Sequence, residues 1–127
     1  MRRTSMRPSP AFFAAAAFLA LAPGQAVAED GAQLFHRDCS VCHSTEPAQN
    51  KIGPSLAGVV GRKSGSEPGY DYSDAMLSAH LTWDAATLDK YLADPRAVVP
   101  GNKMLFVGVK NPADRQAIIQ YLGHPKS

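Results

Sequence analysis

Two cysteines and a histidine form the most informative motif of the chain, Cys39-Ser40-Val41-Cys42-His43. The sequence contains no other cysteine. Two thiols three positions apart lie on one helical turn, where each can add to a vinyl group on the same porphyrin edge. The pattern C-x-x-C-H is typical of c-type haem attachment, with the histidine as the proximal iron ligand. The motif therefore predicts thioethers at Cys39 and Cys42 and an iron bond at His43.

Three other uses of the two cysteines stay open on the motif alone. A thioredoxin-type redox C-x-x-C normally lies in a βαβ pattern. A zinc site would need a second C-x-x-C or H-x-x-x-H pair, and the sequence has neither. The third alternative is a plain disulfide. Haem attachment further requires a distal ligand, a haem-sized pocket and export, so the rest of the sequence discriminates between these uses.

The first 28 residues have the pattern of a secretory signal peptide. Three arginines precede the apolar run 11–22, and a small-residue Ala-Val-Ala cleavage site ends at position 28. The run is shorter than the ~20 residues that span a bilayer, so cleavage is favoured over retention as an anchor. We therefore expect a cleaved signal peptide at 1–28, a periplasmic location and one domain at 29–127.

The size and charge of residues 29–127 limit the classes of protein to consider. A chain of this length is near the lower limit for a self-sufficient core, and a covalent haem would supply much of the missing apolar interior. Without the three leader arginines, ten basic residues stand against eleven acidic ones. This balance is not that of a nucleic-acid-binding protein.

Capping residues and hydrophobic periodicity predict helices joined by Gly/Pro loops. No segment alternates as a strand does, so the fold class is all-α. The predicted elements are a first helix from Asp30 through Ser40, a short helix near 74–79 capped by Ser73, a helix near 83–93 capped by Thr82, a further turn from Pro95, and a last helix that begins with Asn111-Pro112 and ends at Gly123.

Further short motifs accompany the cysteine motif, and their order and spacing are specific. They are Gly31, Phe35, Gly53-Pro54-Ser55-Leu56, Gly61-Arg62-Lys63-Ser64-Gly65, Pro68-Gly69-Tyr70-Asp71-Tyr72, Trp83, Tyr91-Leu92, Pro100-Gly101-Asn102-Lys103-Met104 and Tyr121-Leu122. With these residues the chain resembles the class I cytochromes c, close to the mitochondrial type and its bacterial periplasmic relatives. The resemblance covers nearly all of residues 29–127.

The resemblance implies a small cytochrome c fold around one covalent haem c, with crossing first and last helices. His43 and Met104 would be the axial ligands. Six further residues would bind the cofactor. The carbonyl of Pro54 would accept a hydrogen bond from His43, and Arg62, Tyr72 and Trp83 would hold or screen the propionates. Tyr91 would lie beside the Met104 sulfur, and the sixth residue is Asn102, where the mitochondrial proteins have threonine. The helix crossing would consist of Gly31, Phe35, Ile118 and Tyr121.

The function implied by the resemblance is a soluble single-haem electron carrier, not an enzyme. A low-spin, six-coordinate haem has no open iron site for a substrate. The alternative is a haem enzyme or gas-binding haem protein, peroxidase-like, with an open distal site. A peroxidase would need a distal histidine or arginine as acid–base catalyst, and no histidine lies near Met104 in the sequence.

The implied partners are membrane or periplasmic redox proteins. A quinol–cytochrome c reductase would be the donor, and an oxidase, a photosynthetic reaction centre or a reductase the acceptor. We expect a monomer that docks only transiently at the membrane surface and binds no nucleic acid. Basic residues that could ring the exposed haem edge are Lys51, Lys63, Arg96, Lys103 and Lys110, while Asp38 interrupts the ring.

The covalent attachment of the haem is testable on denatured protein. Because thioethers survive unfolding, acid-acetone extraction should leave the haem with the polypeptide. The intact mass should exceed that of residues 29–127 by one haem. Free haem in the organic layer would contradict attachment through Cys39 and Cys42.

Overall fold

The computed structural model describes residues 5–22, 24 and 29–125. Within these ranges there is no strand, only a single antiparallel bridge between Lys63 and Thr82. The prediction of an all-α fold is confirmed. The helices are α1 (Gly31–Asp38), α2 (Asp74–Leu77), α3 (Ala85–Ala93), α4 (Pro95–Val98) and α5 (Pro112–Gly123).

Three helices begin at the capping residue that the sequence predicts. The first helix ends at Asp38, two residues before its predicted end, and the second ends at Leu77. A cap stabilises a helix because its side-chain oxygen accepts a hydrogen bond from a first-turn amide that has no partner inside the helix. The cap hydrogen bonds run from Ala32 N to Asp30 Oδ1 (3.2 Å), from Met76 N to Ser73 Oγ (3.1 Å) and from Ala113 N to Asn111 Oδ1 (2.9 Å).

The predicted start of the third helix is wrong. Asp84, not Thr82, is its cap and accepts a hydrogen bond from Thr87 N at 2.7 Å. The residue between them, Trp83, bonds with its backbone to a distant loop: its N–H donates to Arg62 O and its carbonyl accepts from Gly61 N, both at 2.8 Å. Because this loop uses both backbone groups of Trp83, the helix begins after it.

The first and last helices cross at a glycine. Gly31 is buried, and a Cβ at this position would overlap the Ala117 carbonyl of α5. One turn further along α1, Phe35 packs against Tyr121 with ring centroids 5.4 Å apart. Ile118, between these two α5 positions, is fully buried. The predicted crossing of the terminal helices is confirmed.

A partly buried ion pair joins α3 to α5 and to the loop before α5. Arg115 Nε donates to Asp89 Oδ1 at 2.7 Å, and the exposed fractions of the two side chains are 12% and 32%. The same guanidinium donates through Nη1 to Val109 O and Lys110 O. The α4–α5 loop (residues 99–111) is therefore fixed at its C-terminal end.

The N-terminal segment contributes nothing to this core. Residues 5–22 lie outside the helices, and their large apolar side chains are exposed. In the part of the chain that the structure describes, no helix is long and apolar enough to cross a membrane. The expected cleavage site Ala26-Val27-Ala28 lies outside the described residues, so the signal peptide stays a prediction.

The close approach at Gly31 predicts an unequal response to two glycine replacements. Gly31→Ala should lower the free energy of unfolding of the holoprotein by about 1–3 kcal/mol, because the added methyl group must displace backbone atoms of α5. Gly123→Ala, also within a helix, meets no atom closer than 4.0 Å and should change the stability by less than about 1 kcal/mol. Denaturant unfolding of both variants measures the difference, and equal effects would contradict the proposed crossing geometry.

Candidate functional site

The cysteine motif forms a turn that continues directly from α1. Cys39 N donates to Phe35 O at 2.8 Å, and His43 N donates to Cys39 O at 2.9 Å. Cys39 and Cys42 are free and partly buried. Burial raises the pKa of Cys39 to about 12, with Asp38 adding to the effect. A thioredoxin-type cysteine needs a lowered pKa, so the structure argues against that use of the motif.

The imidazole of His43 is oriented by the backbone. Its Nδ1 lies 2.8 Å from the carbonyl oxygen of Pro54, as predicted. Because this carbonyl can only accept, Nδ1 carries the proton and Nε2 keeps its lone pair. Burial lowers the pKa of His43, and the hydrogen bond to Pro54 partly opposes this shift. Burial, the larger effect, favours the neutral, metal-binding imidazole, and the hydrogen bond to Pro54 gives the ring a defined direction.

The backbone of Gly53 lies against the imidazole ring of His43. A Cβ at Gly53 would overlap the His43 ring, and Gly53 N donates to Cys42 O at 2.8 Å. The sequence marks Gly53 as part of a motif but indicates no function for it. The structure shows that glycine is required here because the ring lies directly on the backbone.

The guanidinium of Arg62 lies in a pocket made mainly of backbone carbonyls. Nη2 donates to Ser55 O at 2.9 Å, and Nη1 donates to Ala57 O at 3.1 Å and to Glu67 Oε2 at 2.8 Å. Nε is buried and has no hydrogen-bond partner among the described residues. An unsatisfied buried donor is costly, so this atom points to an acceptor outside the polypeptide.

Three aromatic residues are linked to Arg62 through Glu67 or through the backbone. Tyr72 Oη accepts a hydrogen bond from Glu67 N at 3.1 Å, which leaves the hydroxyl proton to be donated elsewhere. Burial raises the pKa of Tyr72 and raises that of Tyr91 to about 12, so both phenols stay protonated. Trp83, joined to Arg62 through the backbone, packs on Tyr91 with ring centroids 4.8 Å apart.

Asn102 braces the N-terminal end of the α4–α5 loop. Its Nδ2 donates to Val99 O at 2.8 Å and to Pro95 O at 3.2 Å, while its Oδ1 accepts from Met104 N at 2.8 Å. Its side chain is thus engaged with the backbone that carries Met104, and its predicted part in binding the cofactor stays a prediction.

The C-terminal end of this loop is attached to the end of α3. Val109 N donates to Leu92 O at 2.7 Å, and the Lys110 ammonium donates to Ala93 O at 3.1 Å. Between the two attachments, Leu105 and Val107 are 92% and 82% exposed, whereas Met104 packs against the hydrophobic core. The loop is therefore held by hydrogen bonds at both ends, and its Met104 side chain packs against the core.

Several basic residues expected around the haem edge are engaged with other groups. Lys103 Nζ donates to Asp71 O at 2.9 Å and lies 3.2 Å from Asp71 Oδ2. Lys51 Nζ donates to Ser40 O, and Lys110 bonds to Ala93. Of the five, Lys63 and Arg96 are exposed and make no side-chain hydrogen bond among the described residues.

The chain is similar to proteins of one family over nearly all of its folded part. A sequence model of the family described as cytochrome c matches residues 28–125. Cytochrome c2 iso-2 of Magnetospirillum molischianum is 57% identical over 84 residues, 66% of this chain and 87% of that protein. Cytochrome c2 of Rhodomicrobium vannielii is 56% identical over 93 residues, 72% of this chain and 74% of that protein. The chain belongs to the cytochrome c family.

A solved structure agrees with this assignment. Cytochrome cH from Methylobacterium extorquens is 46% identical, with a TM-score of 0.69, and the match covers 72% of this chain and 92% of that one. Membership in the family brings one covalently bound haem c. The residues fit such a group: two free cysteines on one turn, a neutral imidazole with a free Nε2, and a buried Arg62 Nε that a propionate oxygen would satisfy.

The structure connects most predicted site residues through contacts. Pro54 bonds to His43, Arg62 bonds to the next residue, Ser55, and the backbone of Arg62 pairs with Trp83, which packs on Tyr91. Met104 is linked to Asn102. The contact predicted between Tyr91 and the Met104 sulfur stays a prediction. His36, His80 and His124 are exposed.

Two residues of the site escape sequence reasoning. Ser55 is fully buried, and its Oγ donates to Glu46 O at 2.6 Å. Glu67 pairs with Arg62 where the sequence shows only a turn-rich loop. The sequence marks Ser55 only as part of a motif. A five-residue separation between an arginine and a glutamate outside a helix does not indicate a contact, so Glu67 could not be found from the sequence.

The brace at Asn102 predicts a local loss of order at Met104. Asn102→Ala removes three hydrogen bonds to the backbone and should cost about 2–3 kcal/mol of stability. In the holoprotein, the Met104 amide should exchange with solvent faster than in the unchanged protein. The Val109 amide, bonded to Leu92 at the opposite end of the loop, is the internal control. Hydrogen exchange followed by NMR tests this, and equal acceleration at both amides would contradict a local brace.

Proposed function

We propose that the protein is a single-haem electron carrier with His43 and Met104 as the axial ligands of a haem c attached through Cys39 and Cys42. The observation that carries the proposal is the hydrogen bond between His43 Nδ1 and Pro54 O. It leaves Nε2 as the free nitrogen of an imidazole that directly follows both cysteines in the chain. An oriented, neutral histidine in this position is a suitable proximal ligand.

Haem c, when bound, supplies a one-electron Fe(III)/Fe(II) couple. The chain's own residues hold and shield it. Arg62 Nε and the Tyr72 hydroxyl would donate hydrogen bonds to the propionates, since both have a donor left over. Trp83 and Tyr91 are at most 8% exposed and would exclude water. A dry pocket with methionine ligation favours the ferrous form and raises the reduction potential.

The α4–α5 loop supports Met104 rather than Met76 as the distal ligand. Met76 and Met104 both pack against the hydrophobic core, but only Met104 lies in a loop that is held by hydrogen bonds at both ends. Met76 lies in the short helix α2, where its backbone N–H bonds to the Ser73 cap. A helical position fixes the direction of the Met76 side chain, and the chain between it and His43 is much shorter.

The same geometry favours a carrier over an enzyme with an open distal site. An acid–base catalyst of the peroxidase type would be a histidine or arginine above the iron. Of the histidines that the structure describes besides His43, each is exposed. Arg62 and Arg115 are engaged with carbonyls and carboxylates. We therefore assign no catalytic residue.

The proposed location is the periplasm, reached through the signal peptide at 1–28. The proposed donor is a quinol–cytochrome c reductase, and the acceptor an oxidase, a reaction centre or a reductase. Transient docking at the membrane surface fits a monomeric carrier. Because Lys103 pairs with Asp71, electrostatic steering toward an acidic partner should be weaker than for a protein with a complete lysine ring.

A redox titration followed by optical spectra tests the function as a whole. The purified holoprotein should titrate as one reversible one-electron couple and show low-spin, six-coordinate spectra in both oxidation states. A high-spin ferric spectrum, or rapid binding of carbon monoxide by the unaltered protein, would instead support the open-site alternative.

A matched pair of substitutions tests the distal ligand. Met104→Leu keeps the side-chain volume but removes the sulfur, so the sulfur-to-ferric-iron band should vanish, cyanide should bind readily and the potential should fall. Met76→Leu makes the same chemical change in α2 and should leave the band and the exclusion of cyanide intact. The reverse result would make Met76 the ligand and contradict the proposed role of the α4–α5 loop.

A further inference from the structure

A shielded pair of opposite charges lies beside the atoms that we assign to the propionates. Arg62 Nη1 is 2.8 Å from Glu67 Oε2, and the two side chains are only 16% and 11% exposed. The other ion pair of similar burial joins Arg115 to Asp89 and links two helices. The Arg62–Glu67 pair joins no helices, since both residues lie in the loop between α1 and α2.

Stability is a weak explanation for this pair. The desolvation of two buried charges offsets most of their attraction, so a buried ion pair often contributes little to folding. Arg62 already donates to the carbonyls of Ser55 and Ala57. By contrast, water screens the charges of an exposed ion pair such as Arg37–Glu29, in which both side chains are 53% exposed. The buried carboxylate therefore needs another explanation.

The placement of Glu67 points to the haem edge. Its carboxylate binds one end of the Arg62 guanidinium, and its backbone N–H donates to Tyr72 Oη at 3.1 Å. Glu67 thus contacts both residues that would bind the propionates. Its contact with Nη1, together with the two carbonyls, fixes the plane of the guanidinium and leaves the buried Nε as the donor without a partner.

We propose that Glu67 is a positioning residue that lowers the reduction potential of the haem by holding Arg62 and by adding a shielded negative charge beside the propionates. The proposal rests on the proposed function. Oxidation adds one positive charge to the haem, and a nearby negative charge in a medium of low dielectric stabilises the oxidised form. By sharing Arg62, Glu67 also leaves the propionates less fully neutralised, which acts in the same direction.

The test compares two Glu→Gln substitutions in the holoprotein. Glu67→Gln keeps an oxygen that can accept from Arg62 but removes the charge. Glu46→Gln removes the same charge from an exposed side chain. At a fixed ambient potential and low ionic strength, Glu67→Gln should raise the ferrous-to-ferric ratio about threefold or more. Glu46→Gln should change this ratio by less than about twofold, because water and salt screen an exposed charge.

The sign of the shift separates a charge effect from damage to the pocket. Water entering a loosened pocket stabilises the ferric form and lowers the ratio, whereas loss of the Glu67 charge raises it. Glu67→Asp gives a second check, since it keeps the charge and shortens the side chain. Its ratio should lie closer to that of the unchanged protein than the ratio of Glu67→Gln does, with the methionine-to-iron band retained in each variant.

Three results would overturn the proposal while leaving the proposed function intact. They are a ratio in Glu67→Gln equal to that in Glu46→Gln, a lowered ratio, and a larger shift in Glu67→Asp than in Glu67→Gln. Each would be measured on protein that retains a reversible one-electron couple. Failure of the proposed function is distinguishable, because the unchanged protein would then lack that couple or its six-coordinate spectra.

Discussion

The hydrogen bond from His43 to the Pro54 carbonyl is the constraint on which the rest of the site depends. It selects the imidazole tautomer and leaves the lone pair on Nε2. The bond is possible because Gly53 lets the backbone pass directly against the ring. It also joins the turn after α1 to the loop that carries Ser55, and Ser55 O accepts from Arg62. One backbone segment therefore positions both His43, the proposed proximal ligand, and the arginine that we assign to the propionates.

Among the described residues, Arg62 Nε is a buried donor without a partner, and a propionate is its proposed acceptor. In a small domain the core alone supplies little stability, and an unsatisfied Arg62 Nε would be a cost without a ligand. With a propionate as acceptor, the same atom favours the bound state. The backbone of Arg62 pairs with Trp83, whose buried side chain packs on Tyr91. The binding of the haem and the packing of the core are thus coupled through Arg62 and Trp83, whose backbones pair.

The sequence predicts the features that depend on local chemistry. The cysteine motif and the caps at Asp30, Ser73 and Asn111 can be predicted because each depends only on neighbours in the chain. The start of α3 cannot be predicted in this way, because Thr82 and Asp84 are both good caps. The choice between them depends on the pairing of Trp83 with Arg62, which is distant in sequence. The Glu67 contact escapes prediction for the same reason: the fold of a loop brings it to Arg62, and no periodicity marks it.

The α4–α5 loop shows how a loop can hold one residue, the proposed ligand Met104, in a fixed position. A loop between two helices would ordinarily be mobile, yet here its N-terminal end is hydrogen-bonded to Pro95 of α4 and its C-terminal end to Leu92 of α3. In the middle, Leu105 and Val107 are exposed, and the Lys110 side chain donates to the Val107 carbonyl at 3.1 Å. An electron carrier benefits from this division, since a ligand whose position is fixed by backbone hydrogen bonds moves little between oxidation states. Opening of the middle would not require the helices to unfold, so loss of Met104, the proposed distal ligand, from the iron would be a local event.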